Sequence, residues 1–348
     1  MLLVPRREPN PHDLLLRLAG RLPDEVTTEC RRWLSQGLDA DVAQAVLFAL
    51  LAAEIPIGSD DVEWLRELLV STGHDPTAVD PIRGDPSPLR YGAAPIGPAV
   101  LAPDPAAVPY TLDLTRDHPD AFGLDPIDVS AVAVVRAASA RALWRSWRYP
   151  PPGRAEPPAR RVYLVLAPHR APADLAALAA ATQDALIAAG ERDPQVEVFP
   201  DVDDLPPYQR HALEFAALLW ASDPTPPVRI ASGEDGPDPY VGPRLDGPER
   251  DLVLSYLDSG HPLLIHHTGD EDAVEAALPR SGRRVTVYRT DGAWIWTDLV
   301  AGDLRRHGVP PQEALVAHIR RREHRPADLD YVAVHRALSR LYLHDLAS

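Results

Sequence analysis

Proline breaks this chain in two places, and the breaks limit what each remaining stretch can become. Of 348 residues, 39 are proline. They crowd into the segment from 76 to about 126 and into PPPGRAEPPAR at 150–160. A proline ring fixes φ and removes a backbone donor, so neither segment can run as a long helix or a central strand. The first segment reads as turn-rich, extended connection. The second is either a domain boundary or a long surface loop.

Before the first break the pattern is helical. PHDLLLRLAG spaces its leucines for one helix. LPDEVTTECRRWLSQG sets Pro23, Asp24 and Glu25 at a first turn and Gly37 at the exit. DADVAQAVLFALLAAE is apolar enough to be the central helix of the block. GSDDVEWLRELLVSTG offers Ser59 as an N-cap and Gly73 as a stop. Between the breaks, YTLDL reads as a short strand and the residues after Asp128 as helical. Ala142 to Arg148 alternates, and both a long helix and a helix followed by a strand remain open there.

Beyond the second break strands and helices alternate. RVYLVLA, PQVEVFP, VRIAS and HPLLIHH read as strands, and the segments between them as helices. The fold class expected is therefore α plus α/β: a mixed sheet covered by helices, ending in a β-hairpin and C-terminal helices. The domains expected are a helical domain at 1–78, a proline-rich connecting region at 79–160 with one helix and edge strands, and an α/β domain with a C-terminal helical module at 161–348.

The hairpin is VYRTDGAWIWTD. Asp-Gly favours a type I′ turn, which would set Arg289 opposite Trp294 and Val287 opposite Trp296. Both faces are apolar, so helices are expected on both. Arg289, Trp294 and Trp296 are candidate binding residues, an aromatic platform with a cation across Trp294. A packed strand needs the same period-2 placement, so core packing competes with that reading.

The charge balance and missing residue types exclude much chemistry. The formal charge is −16, from 51 acids against 35 bases. Nucleic acid and anionic membranes are disfavoured, and a basic protein partner is favoured. There is no lysine, so Schiff-base enzymes and Walker A phosphate loops are excluded. The one cysteine, Cys30, allows no intramolecular disulfide and suits a reducing, cytoplasmic setting. No long apolar run suggests a membrane span. Neither a cofactor nor a metal is expected.

The catalytic candidates are His266, His267 and Asp270 in LLIHHTGDEDAV, at the end of a strand and before a helix. His211 and Glu214 share a helical face, which more often marks a surface pair than half a metal site. Asp201 to Asp204 lack calcium-loop spacing. Cys30 sits beside arginines but without a neighbouring histidine. The basic run HIRRREHRP makes Arg320, Arg321 and Arg322 candidates for binding a phosphate or an acidic partner, or else a solvated helix end.

The stretch VYRTDGAWIWTDLVAGDLRRHGVPPQEALVAHIRRR resembles a C-terminal module of uncharacterised actinobacterial proteins. RALWRSWR, RVYLVLA and LPPYQRHALEFAALLWA share that likeness. The resemblance implies an accessory or immunity-like association with secreted toxins, and no activity. The histidine pair and the N-terminal helices lie outside it. The function expected is thus a non-enzymatic protein-binding or accessory protein, immunity-like, accepting a basic protein partner. The alternative is a hydrolytic or nucleotide-directed enzyme using the His266, His267 and Asp270 region.

Overall fold

The structure is a computed structural model. It describes residues 10–82, 91–101, 108–116, 118, 122–151, 158–224, 226–231, 245, 247–268 and 284–345. The fold is α+β, and the chain divides into two compact units, Met1–Pro224 and Thr225–Ser348. The division therefore falls neither at 78 nor at 160, where the sequence pattern placed it.

The first unit opens with four helices: α1 (Pro11–Leu18), α2 (Asp24–Ser35), α3 (Asp39–Ala52) and α4 (Ser59–Ser71). Asn10 caps α1 by accepting from Asp13 N. Gly37 and Gly73 follow α2 and α4 at positive φ, the conformation that glycine adopts without steric cost. Next come β1 (Gly92–Ala94), the one-turn α5 (Pro98–Leu101), β2 (Leu112–Asp113) and α6 (Pro126–Ala137). Asp125 and Asp128 form a reciprocal capping box at the start of α6. Then follow β3 (Ala142–Tyr149), β4 (Arg160–Leu166), α7 (Pro172–Ala188), β5 (Gln195–Phe199), α8 (Pro207–Glu214) and β6 (Ala217–Ala221).

The six-stranded sheet has the order β2-β6-β3-β4-β5, with β1 also on β3. β3 and β4 pair antiparallel from Ala142↔Leu166 to Arg148↔Arg160. The proline-rich 150–160 segment thus connects neighbouring strands of one sheet, and Ala142–Arg148 is a strand. β4 and β5 are parallel, with α7 as the crossover.

Each sheet face has its own helices. Arg145 points at α6, where its guanidinium meets the Asp128 carboxylate and Tyr163 donates to Asp128 Oδ1 at 2.9 Å. Burial raises the Asp128 carboxyl, and Arg145 opposes that rise. The other face carries Gln195 and Glu197, both buried. The N-terminal helices satisfy it. Arg31 of α2 reaches Glu197 at 2.6 Å, with both side chains fully enclosed. Gln209 of α8 donates to the second Glu197 oxygen at 2.8 Å. Gln195 donates to Asp24 O and Thr28 Oγ1, and His12 Nε2 lies 2.8 Å from Val198 O. This polar stitching makes α1 and α2 one layer of the α/β unit.

The second unit contains β7 (Arg229–Ile230), α9 (Gly247–Ser259), β8 (His261–Thr268), β9 (Arg284–Thr290), β10 (Trp294–Thr297), α10 (Asp298–His307), α11 (Glu313–Arg321) and α12 (Tyr331–Asp345). Its sheet runs β7-β10-β9-β8. Among the described residues, no helix is long and apolar enough to cross a membrane.

Two outcomes test this packing. Glu197→Ala leaves a buried guanidinium unpaired and is expected to cost about 3–5 kcal/mol in urea unfolding, whereas the Arg31→Met/Glu197→Met pair should come much closer to wild type. Burial pushes the Cys30 thiol up to about 12. The native protein at pH 8 should therefore resist a disulfide reagent that modifies the unfolded chain at once.

Candidate functional site

The hairpin keeps its expected faces but not its expected turn. β9 and β10 pair Ile295↔Thr290 and Trp296↔Arg289, two residues out of the type I′ register. Asp291 is absent from the residues at positive φ, whereas Gly292 has φ of 83°. The physical reason is the Asp291 side chain. Its Oδ1 accepts from Ala293 N at 2.9 Å and Trp294 N at 2.8 Å, which opens a wider loop. Asp291 Oδ2 takes the Tyr256 hydroxyl and lies 2.7 Å from His318 Nε2. One buried carboxylate thus ties the loop to α9 and α11. Burial, and then Asp291 itself, raise the Tyr256 phenol well above its usual range. The sequence reading treated Asp291 only as a turn residue and missed Tyr256 and His318. They lie 35 and 27 residues from it, and no local pattern joins them.

Trp294 and Trp296 are 5% and 1% exposed. They pack with Tyr256 and Leu257 of α9, Leu304 of α10, and Leu315 and Ile319 of α11. Ile295, on the opposite face, meets Ala337 and Leu341 of α12. The tryptophans therefore build a core with helices on both faces and present no open platform. Trp296 donates Nε1–H to Leu257 O at 3.1 Å, and a Cβ on Gly260 would lie 2.3 Å from its ring. The cation over Trp294 is Arg229, at 5.5 Å, in place of Arg289. Arg289 donates instead to Gly260 O at 2.9 Å.

The other candidates are scattered. Arg320 pairs with Glu249 at 2.6 Å on the surface, and Arg321 and Arg322 are exposed at the end of α11. The backbone of β8 pairs His266 with Thr286 and His267 with Val285, and Asp270 lies outside the described residues. His211 packs edge-on to Phe215 with ring centroids 5.1 Å apart. Among the described residues, no three His, Cys, Asp or Glu side chains are placed to hold a metal ion.

A surface that the sequence reading took for an interior lies on α3 and α4. α3 is apolar over nearly its whole circumference, and one side buries Val42, Ala43, Val46, Ala49 and Leu50. Its outer side carries Asp41, Gln44, Phe48 and Leu51, which follow one another at helical spacing and are all exposed. Phe48 is 74% exposed and Leu51 37%. The Gln44 side chain touches His74 just beyond α4. On α4, Val70 is 60% exposed. The stretch of chain that carries this crest of residues is acidic. From Leu38 to Asp75 the chain has eight acidic residues and one arginine, Arg66. Arg66 is itself held by Asp80 at 3.1 Å. α3 is therefore not a central helix: the sheet lies on the far side of α1 and α2, and α3 closes the unit from outside.

Comparison of the chain with protein-family models, curated proteins and solved structures found no match.

Asp291→Ala would leave two backbone donors, a phenol and an imidazole without their acceptor. A loss of about 3 kcal/mol or more is expected for the second unit, and about 1 kcal/mol for Tyr256→Phe, measured as shifts in the thermal unfolding of Thr225–Ser348 within the full chain.

Proposed function

We propose that this chain is a non-enzymatic protein-binding or accessory protein, immunity-like, that accepts a basic protein partner on the outer face of α3 and α4. The exposure of Phe48 at 74%, in the middle of an acidic helical pair, carries this reading. An apolar residue of that size gains roughly 1.5–3 kcal/mol when covered, so the crest favours an apolar group of a partner. The acids of α3 and α4 favour arginine and lysine on that partner, speed its approach and reject acidic competitors. A basic amphipathic helix has both features, with an apolar stripe for Phe48, Leu51 and Val70 and cations on its flanks. The net charge of −16 works in the same direction over longer distances.

The accessory role also accords with the use of charge inside the protein. Arg31, Arg145 and Arg148 are buried and paired with Glu197, Asp128 and Asp24. These groups hold elements together. The alternative, a hydrolytic or nucleotide-directed enzyme built on His266, His267 and Asp270, rests on the sequence pattern alone.

The test compares wild type with Phe48→Asp and Val70→Asp, each tagged in the native host and purified gently. Both sites are exposed, so each variant should keep its stability within about 0.5 kcal/mol. A stoichiometric basic protein should accompany wild type, weaken with rising salt and be lost from Phe48→Asp. Wild type that purifies alone, or a partner retained by both variants, would sink the proposal.

A further inference from the structure

The first unit contains a cleft of about 390 Å³ that plays no part in the binding face described above. α1 supplies Arg17 and Arg21, β3 supplies Arg148, α8 supplies Tyr208 and His211, and Tyr91 precedes β1. Among the described residues, three arginines and no carboxylate line it, in a chain where acids outnumber bases by 51 to 35. The cationic character is built in. Asp24 holds both Arg148 amino groups, at 3.0 and 2.5 Å, and also lies 3.0 Å from Arg160 Nε, so one carboxylate serves two guanidinium groups. Arg148 is fixed further by the Tyr208 hydroxyl at 3.3 Å and the Tyr91 ring at 4.9 Å. Arg17 is steadied by Asp61 and by the Trp64 ring, 5.2 Å away.

Three rings, from Tyr91, Tyr208 and His211, share the rest of the lining with small and aliphatic residues. Tyr91 and Tyr208 meet edge to face with centroids 6.4 Å apart. Burial keeps the Tyr208 phenol protonated far above neutral pH. Guanidinium groups recognise phosphate oxygens by paired hydrogen bonds, and aromatic walls recognise flat rings. The volume falls in the range of small-molecule sites, about 300–1,000 Å³.

We propose that this cleft binds a phosphate-bearing molecule with a flat ring, of nucleoside monophosphate size, its phosphate held by Arg17 and Arg21 and its ring against the Tyr91, Tyr208 and His211 side. The site is separate from the crest on α3 and α4, so either proposal can stand if the other fails.

Isothermal titration of the full chain at low salt with AMP, GMP, CMP and UMP tests it, with inorganic phosphate and adenosine as partial probes. At least one nucleotide is expected to bind about tenfold or more tighter than phosphate or adenosine. Arg21→Glu should weaken that binding at least about tenfold with an unchanged melting temperature, and Phe48→Asp should leave it intact. If Arg21→Glu melts early, Arg21→Gln and His211→Ala take its place. The proposal is overturned if no nucleotide binds at millimolar concentration. Phosphate binding as tightly as every nucleotide, or affinity unchanged in the folded Arg21 and His211 variants, would overturn it too.

Discussion

A glutamate in the middle of a buried strand constrains how the first 224 residues assemble. Glu197 belongs to β5, and its side chain is completely enclosed. An ionised carboxylate cannot stay there unless something of opposite charge comes to it. Arg31 comes from α2, 166 residues earlier, and Gln209 from α8. Once α2 is committed to the sheet, α1 follows, with His12 on Val198 and Leu16 accepting from Gln209. The leading helices and the sheet therefore form one unit because the sheet face carries Gln195 and Glu197, which α1, α2 and α8 satisfy between them. An apolar face would have held them by area alone, with less say over their register.

The second unit repeats this device around Asp291. Its carboxylate collects two loop amides, a tyrosine and a histidine, and so fixes the position of the hairpin against α9 and α11. The tryptophans fill the space that this tie leaves, and their depth of burial follows from it. Both units thus use a buried acid to set geometry and apolar side chains to supply most of the stabilisation.

Charge left on the outside then has a different role. The α3 and α4 stretch is acidic and carries an uncovered phenylalanine, whereas among the described residues the α1–β3–α8 cleft gathers arginines and no acid on its wall. A surface that separates its charges in this way offers one face to cations and one recess to anions. Separate binding events at the two places need no coupling between them.

Much of the architecture could be read from the chain. Glycines at positive φ follow α1, α2 and α4 as the pattern predicts, but among these four helices only α1 has a side-chain cap, from Asn10, and Gly58 rather than Ser59 stands at the N-cap of α4. The strand runs of β4 and β5 agree with local preference, whereas Ala217–Ala221, which the pattern joined to the preceding helix, is strand β6, because pairing with β3 overrides the helical preference of its alanines and leucines. The hairpin faces survived an error in the turn because a shift of two residues preserves the side-chain period. The turn itself did not, because a side-chain acceptor on Asp291 outcompeted the backbone pattern that Asp-Gly usually adopts. The choice between helix and strand at Ala142–Arg148 was beyond local pattern, since its arginines are buried only by grace of Asp128 and Asp24. The crest on α3 was misread for the converse reason: an apolar helix looks central when nothing shows which neighbours cover it. Sequence by itself determined the elements, the charge balance and the exclusion of lysine chemistry, because those depend on residues close together or on simple counts. Tertiary structure alone decided the unit boundary, the Asp291 cluster, the arginine cleft and the exposure of Phe48, because each depends on groups brought together from distant parts of the chain.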